Sequence, residues 1–268
     1  MQFSLIIPWR SGNPVREQSL HNLLNCINRQ NLKQQVSYEL IIVEHCDRQD
    51  QNEQNQSARN KINELMPQEL AGYNYIQLYD GTPSFNKSWC MNVGARAANH
   101  NRLMFIDGDS LFGADYLVSI ANQLEKVPTP NSHIMLCWNY LIAAVGRDNP
   151  ITRYITPDMT AALGGIWCAD KDFYFTKFGG MNENFLGYGG EDNDAYERSK
   201  FLMGLESIGY LAYTITHQYH DWEKQHTNAI KYFEIGRKYP QIVSDRIVNA
   251  GIGQLSGPTM IDIESLKI

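Results

Sequence analysis

Two carboxylates that flank a glycine follow directly on a run of four apolar residues. The run 103–106 predicts a buried strand, and Asp107-Gly108-Asp109 stands at its end. Carboxylate oxygens placed there suit a hard divalent cation and would hold it against phosphate oxygens. An Asp-Gly pair is equally typical of a turn at the end of a strand, so the tripeptide alone leaves both interpretations open.

A pair of histidines, His217 and His220, follows a second strand-like run at 211–216. Imidazoles three residues apart on a turn can both face one cation and complete a site that a carboxylate begins. A surface loop explains the same spacing, because imidazoles also serve as ordinary hydrogen-bonding groups. Taken alone, the spacing favours the loop.

The strongest local signal is the segment 187–194, in which three glycines and an aromatic residue precede a dense acidic cluster. The glycines permit an unusual backbone path, and the acidic residues then open a helix. Capping and the helix dipole account for one or two of these acids, but the cluster holds more. A carboxylate held there can act as a general base towards a sugar hydroxyl.

Strand and helix patterns alternate in the first half of the chain. Apolar runs predict strands at 3–7, 40–43 and 103–106, and alternation predicts one at 73–79. Helical spacing predicts helices at 20–27 and 86–98. The polar stretch 47–60 predicts a loop that enters a solvated helix. Strands joined by helices predict a mainly parallel sheet, in which ligands bind beyond the carboxyl ends of the strands. Those ends carry Trp9, Arg10, Glu44, Asp80 and the tripeptide 107–109.

The second half of the chain is less regular. A helix is predicted from about Asn193, a strand at 211–216 and a helix at 231–239. No internal repeat and no linker composition divides the chain, so the sequence predicts a single domain over residues 1–268.

Composition excludes several classes of partner. A net charge of −6 and a pI near 5.6 argue against binding nucleic acid or an anionic membrane surface. The N-terminal run has no signal-peptide pattern, and no segment approaches the roughly 20 apolar residues of a membrane span. Five scattered cysteines predict reduced thiols in a cytoplasmic protein.

Several linked motifs, in order, resemble β-1,4-galactosyltransferases. Phe85-Asn86-Lys87, Met91-Asn92-Val93-Gly94 and the segment 105–109 are similar to the donor half of that family. Gly164-Gly165 and the segments 178–185 and 187–194 are similar to its acceptor half, which polypeptide N-acetylgalactosaminyltransferases and chondroitin-polymerising enzymes share. The resemblance covers about residues 3–220. It implies a GT-A fold, an inverting transfer from a UDP-sugar and a requirement for Mn²⁺, with Mg²⁺ as an alternative.

The resemblance also implies a role for individual residues. Asp192 matches the catalytic base, with Glu191 beside it positioning a sugar, and Glu191 and Asp194 are the alternative bases. The expected metal ligands are Asp109, His220 and His217, the last at a position where galactosyltransferases have a methionine. The expected donor-binding residues are Pro8, Trp9, Arg10, Glu44, Asn86, Lys87, Asn92, Asp107 and Gly165. The expected sugar- and acceptor-binding residues are Tyr188, which replaces a tryptophan, Gly189, Gly190 and Ala162.

Ala162 bears on the donor sugar. In galactosyltransferases a tyrosine at this position, two residues before the glycine pair, crowds the C2 substituent of the donor. Alanine leaves room for an N-acetyl group, which predicts that UDP-GalNAc is accepted at least as well as UDP-galactose. The acceptor is expected to be a glycan or glycoconjugate. Secretory members of the family carry an anchor, a stem and disulfides, for which the sequence shows no pattern, so their acceptors are not carried over to this chain.

Nucleotide-sugar binding is expected in about residues 1–110, and acceptor binding and catalysis are expected in about residues 111–268. Two other classes of protein stay open. A nucleotide-sugar pyrophosphorylase or phosphotransferase would need a basic phosphate-binding loop near the N-terminus, for which Arg10 and Arg16 are the candidates. A catalytically silent carbohydrate-binding protein would need no base, and the acidic motifs and histidines argue against it.

Overall fold

The structure is a computed structural model of the chain. It describes residues 1–32, 36–46, 53–67, 70, 72–126, 135–143, 165–187, 189–203, 209–218, 229–263 and 265–266. The strands in these residues are β1 (Gln2–Trp9), β2 (Ser37–His45), β3 (Asn74–Leu78), β4 (Arg102–Ile106), β5 (Ser110–Leu111), β6 (Met135–Ala143), β7 (Ile166–Asp170) and β8 (Gly209–Gln218). They form one eight-stranded sheet in the order β3-β2-β1-β4-β7-β6-β8-β5.

The helices of the described residues alternate with the strands from β1 to β4 and are less regularly placed after β4. They are α1 (Pro14–Asn28), α2 (Glu53–Leu65), α3 (Lys87–Ala97), α4 (Tyr116–Leu124), α5 (Lys171–Phe173), which continues as a π-helix (Tyr174–Phe178), α6 (Glu191–Met203), α7 (Ala229–Lys238) and α8 (Pro240–Ala250). None of them, within the part of the chain that the structure describes, is long and apolar enough to cross a membrane.

The first four predicted strands form the parallel half of the sheet. β1 pairs in parallel with β2 and with β4, and β2 pairs in parallel with β3. β1, β2 and β4 contain buried runs that read as continuous apolar stretches, whereas β3 is mostly half-buried and was recognised by its alternation. The predicted mainly parallel sheet flanked by helices is confirmed.

The other half of the sheet has mixed directions. β7 runs antiparallel to both β4 and β6, β6 pairs in parallel with β8, and β5 pairs antiparallel with β8. The strand predicted at 211–216 is the centre of β8. The helices predicted from about Asn193 and at 231–239 correspond to α6 and α7, each of which begins two residues earlier than predicted.

Helices cover both faces of the parallel half. Leu5 and Ile7 share a core cluster with residues of α1 and α4, whereas Ile6 points to the opposite face and packs with α3. Gly94 lets α3 lie close to β1, because a Cβ there would come within 2.4 Å of the Ile6 side chain. This close packing places the first residue of α3, Lys87, at the carboxyl edge of the sheet.

Candidate active site

Three carboxylates from two different elements surround the ammonium group of Lys87. The Lys87 Nζ lies 2.9 Å from Asp107 Oδ1, 3.0 Å from Asp192 Oδ2 and 3.4 Å from Glu191 Oε1. Asp107 directly follows β4, and Glu191 and Asp192 open α6. The four side chains are 10–27% exposed, so a ligand can reach them. We call Asp107, Glu191 and Asp192 the acidic cluster; the sequence predicted each of them, and the structure brings them together.

Burial raises the pKa of every carboxyl group in the acidic cluster. The pKa of Glu191 rises to about 7, because burial and then the charge of Asp192 disfavour its ionised form. Burial likewise raises the pKa of Asp107 and of Asp192, against the opposing effect of Lys87. Burial disfavours the charge on Lys87 too, but the carboxylates hold its pKa well above its ordinary value. The site therefore keeps a charged lysine and can hold a proton near neutral pH.

Two glycines directly precede α6, whose first two residues belong to the acidic cluster. Gly189 and Gly190 both have φ of +94°, a backbone conformation that favours glycine. Gly190 is also tightly packed, since a Cβ there would lie 2.8 Å from the Phe185 ring. The first turn of a helix favours negative charge, which suits the Glu191 and Asp192 carboxylates.

The segment after β1 lies beside the Asp-Gly-Asp tripeptide. Pro8 and Trp9 are buried at the end of β1, and Arg10 follows them at the edge of the sheet. A Cβ on Gly108 would lie 3.8 Å from the Trp9 ring, so the two segments are in van der Waals reach. The position of these three residues fits the predicted nucleotide contact, which stays a prediction.

Glu44 is fully buried at the end of β2, beneath that segment. One of its oxygens accepts a hydrogen bond from the Ser11 backbone N–H at 3.2 Å, and the other accepts one from the Tyr75 hydroxyl. The Glu44 carboxylate, which was predicted to bind the donor, thus holds the loop after β1 in place. We infer that it supports the donor site rather than contacting the donor.

Asn86 and Asn92, which were expected to contact the donor, are also fully buried. Asn86 caps α3 by accepting from the Trp89 N–H at 2.9 Å and donates to the Glu183 carbonyl at 2.8 Å. Asn92 donates to Glu183 Oε1 at 2.8 Å and accepts from the Tyr174 hydroxyl at 2.5 Å. Because these groups bond within the protein, both asparagines hold α3 in place beneath Lys87, and the direct contact expected of them is replaced by this supporting role.

Asp109 and His217 meet on neighbouring strands. β5 begins directly after Asp109, and its pairing with β8 sets Ser110 opposite His217. The Asp109 Oδ2 lies 3.3 Å from the His217 Nε2. A carboxylate and an imidazole suit Mn²⁺, so these two residues fit the predicted metal site. The third expected ligand, His220, lies outside the described residues, and within them no group of three His, Cys, Asp or Glu side chains is arranged to hold a metal.

Gly165 is the remaining donor-site residue that the structure describes. Its carbonyl accepts a hydrogen bond from the Asp107 backbone N–H at 2.7 Å, so it holds that member of the acidic cluster in position. Tyr188 and Ala162 were predicted to contact sugars, and both lie outside the described residues.

Asp194, an alternative base in the sequence, has a structural role. It is fully buried and its Oδ2 lies 2.8 Å from the Arg198 Nε, one helical turn further along α6. Arg198 also donates to the backbone carbonyls of Phe178 and Gly180 at 2.8 and 2.9 Å. Asp194 therefore anchors α6, and Glu191 is the alternative to Asp192 that remains. Arg198 was not predicted from the sequence, although its i, i+4 spacing from Asp194 was a usable signal.

We predict that Arg198→Met lowers the free energy of unfolding by about 3–5 kcal/mol, because it leaves the Asp194 carboxylate buried without its cation. Urea denaturation measures the change. Lys200→Met is the control on the same helix. Lys200 is 39% exposed and 4.0 Å from Glu197, and such exposed pairs contribute about 0–1 kcal/mol. Equal losses in the two variants would contradict the assignment.

Comparison with known protein families gives a match in the second half of the chain. A family model described as the N-terminal domain of galactosyltransferase matches residues 154–221 of the 268, a span that contains Glu191, Asp192 and both histidines. No curated protein sequence matches the chain.

Solved structures of TarS from S. aureus share the fold. Residues 1–349 of TarS in complex with UDP match with a TM-score of 0.57 at 16% identity, over 92% of this chain and 70% of that one. The complex of the same fragment with UDP-GlcNAc gives 0.58 at 16% identity, with the same coverage. The structure of TarS itself matches with 0.54 at 17% identity, over 89% of this chain and 44% of that one. This chain has the GT-A fold, as the sequence predicted.

Proposed function

We propose that this protein is an inverting glycosyltransferase that moves a hexose or N-acetylhexosamine from a UDP-sugar to a hydroxyl of a glycan or glycoconjugate. The observation that carries the proposal is the convergence of the acidic cluster on Lys87 at the carboxyl edge of a GT-A sheet. The galactosyltransferase family match over residues 154–221 and the UDP and UDP-GlcNAc complexes of TarS support it.

Asp192 is the proposed general base. Its carboxylate takes the proton from the acceptor hydroxyl as that oxygen forms a bond to the anomeric carbon of the donor. The bond between the anomeric carbon and the UDP oxygen breaks at the same time, so UDP leaves and the configuration inverts. The raised pKa of Asp192 suits a group that must accept a proton at working pH.

Lys87 is the proposed cation for the donor diphosphate. Its ammonium lies between Asp107 at the end of β4 and Asp192 at the start of α6, so it lies between the expected donor and the base. A charged ammonium at a developing phosphate charge stabilises the leaving group. Glu191, whose carboxyl has a pKa near 7, is proposed to position a sugar hydroxyl by hydrogen bonding.

Asp109 and His217, together with His220, are the residues that would hold a divalent cation, for which we propose Mn²⁺. Bound there, the cation would supply Lewis-acid stabilisation of the diphosphate. The protein's own contribution is to fix the carboxylate and one imidazole through the pairing of β5 with β8.

A donor panel tests the proposed function. The purified chain is incubated with UDP-GalNAc, UDP-GlcNAc, UDP-galactose and UDP-glucose, with Mn²⁺ or with a chelator, and released UDP is measured. We expect metal-dependent UDP release from at least one donor, through transfer to water or to an added glycan. Sugar binding without UDP release from any donor would indicate a silent carbohydrate-binding protein instead. The cytoplasmic location inferred from the sequence stays a prediction.

The same panel tests the donor preference expected from Ala162. We predict that UDP-GalNAc is used at least as well as UDP-galactose, and that Ala162→Tyr lowers the use of the N-acetylated donor by about tenfold or more. The added ring is expected to occupy the space of the N-acetyl group. Competition between donors in one reaction measures the ratio. A preference for an unsubstituted hexose that Ala162→Tyr leaves unchanged would contradict the prediction.

A further inference from the structure

His45, the last residue of β2, joins two segments that meet at the start of α3. Its Nδ1 lies 3.0 Å from the Asn86 backbone nitrogen, and its Nε2 lies 3.0 Å from Asp80 Oδ1. A backbone N–H can only donate, so Nδ1 must accept the hydrogen bond. The ring proton is therefore on Nε2 and is donated to Asp80.

The partners on both sides of the ring are themselves fixed. Asp80 Oδ1 also accepts from the Thr82 N–H at 2.9 Å and from the Thr82 hydroxyl at 2.8 Å. The buried imidazole packs edge-on against Trp89 of α3, with ring centroids 5.2 Å apart. The orientation of the ring is thus set by two hydrogen bonds and by an aromatic neighbour, as in sites that need one fixed tautomer.

The backbone amide that His45 holds belongs to the N-cap of α3. Asn86 caps the helix through its side chain, and the next residue is Lys87, whose ammonium reaches the acidic cluster. The other end of α3 is held by Glu39, on the same strand as His45. Glu39 accepts from the Asn99 backbone N–H at 2.6 Å and from the Asn99 side chain at 2.7 Å.

We propose that His45 is a positioning residue for the donor diphosphate, which acts through the Asn86 N–H to fix Lys87. This inference rests on the proposed function, because it takes Lys87 as the cation that meets the diphosphate. A shift of about 1 Å at a residue that positions a substrate is enough to change rates by about a hundredfold. His45 is buried behind Asn86, so it affects donor binding without contacting the donor.

The test is calorimetric titration of UDP in the presence of Mn²⁺. His45→Phe keeps an aromatic ring against Trp89 and removes both hydrogen bonds. We expect it to raise the Kd for UDP about tenfold, the effect of losing roughly one good polar contact. Glu39→Gln removes one of the two acceptor oxygens that hold the opposite end of the same helix, and it is the matched control, with an unchanged Kd. Asp80→Ala keeps the imidazole but removes its anchor, and we expect a smaller increase in Kd.

A double-mutant cycle separates positioning from a general loss of structure. If His45 acts through Lys87, His45→Phe should add little to the increase in Kd that Lys87→Met already causes. Additive effects of the two substitutions, or an unchanged Kd in both His45→Phe and Asp80→Ala, would overturn the inference while the proposed function stands. Failure of the unmodified protein to bind UDP would overturn the proposed function, and this inference with it.

Discussion

Replacing Asp192 by asparagine is expected to lower kcat for sugar transfer by about a hundredfold or more, the usual contribution of a general base. Asparagine keeps the size of the side chain and loses the basic carboxylate. UDP affinity should change little, because Lys87 keeps Asp107 and Glu191 as partners within 3.4 Å. Initial rates at saturating donor, with UDP binding measured separately, distinguish a loss of chemistry from a loss of binding.

The control for this variant lies on the same helix. Glu197→Gln makes the same carboxylate-to-amide change in α6, away from Lys87, and should leave kcat unchanged. The wild-type rate should rise with pH as Asp192 loses its proton, at a pH above the usual range for an aspartate because burial raises its pKa. That rise should be absent in Asp192→Asn. Turnover at the wild-type rate in this variant would move the base to Glu191.

Loss of the metal site is expected to have an effect of similar size. A bound metal contributes several kcal/mol to stabilising the transition state, so Asp109→Ala should lower metal-dependent turnover by about a hundredfold or more. His217→Ala should lower it in the same direction, because its imidazole lies beside the Asp109 carboxylate. The measurement is UDP release as a function of Mn²⁺ concentration, after treatment with a chelator.

Asp245→Ala removes an exposed carboxylate from α8 and serves as the control for that series. It should leave the dependence on Mn²⁺ unchanged. Chelator-treated protein that transfers sugar at an undiminished rate would show that the metal assignment is wrong. In that case the stabilisation of the diphosphate would fall to Lys87 and to Arg10.

The parallel half of the fold could be predicted because β1, β2 and β4 contain apolar runs and β3 shows alternation. β5, with two residues, is too short to show a pattern, and β6 and β7 were not predicted although both are mostly apolar runs. β5 nevertheless decides the candidate metal site, because its pairing with β8 brings Asp109 to His217. This pairing joins residues about a hundred positions apart. The periodicity of apolar residues along the sequence does not show which distant strands pair.

The residues of the candidate site also divide into those that could be predicted from the sequence and those that could not. Asp107, Glu191 and Asp192 were predicted because acidic residues at a strand end and at a helix start have recognisable chemistry. The motif that contains Asn86 and Asn92 was recognised, but its spacing does not show which side chains face a ligand. Both turn inward, because the buried groups of the segment around Glu183 need hydrogen-bond partners. His45 was missed because its partners become neighbours only in the folded chain.

In the proposed reaction, the bond between the sugar and UDP is the one that breaks. Phosphorus NMR of the chain with its preferred UDP-sugar and Mn²⁺ shows which bond has broken, because it identifies every phosphorus-containing product. We predict that UDP accumulates, that no sugar 1-phosphate appears, and that Asp192→Asn slows this accumulation by about a hundredfold or more. Formation of sugar 1-phosphate, with UMP from water or UTP from added pyrophosphate, would rule out glycosyl transfer and identify a phosphotransferase or pyrophosphorylase.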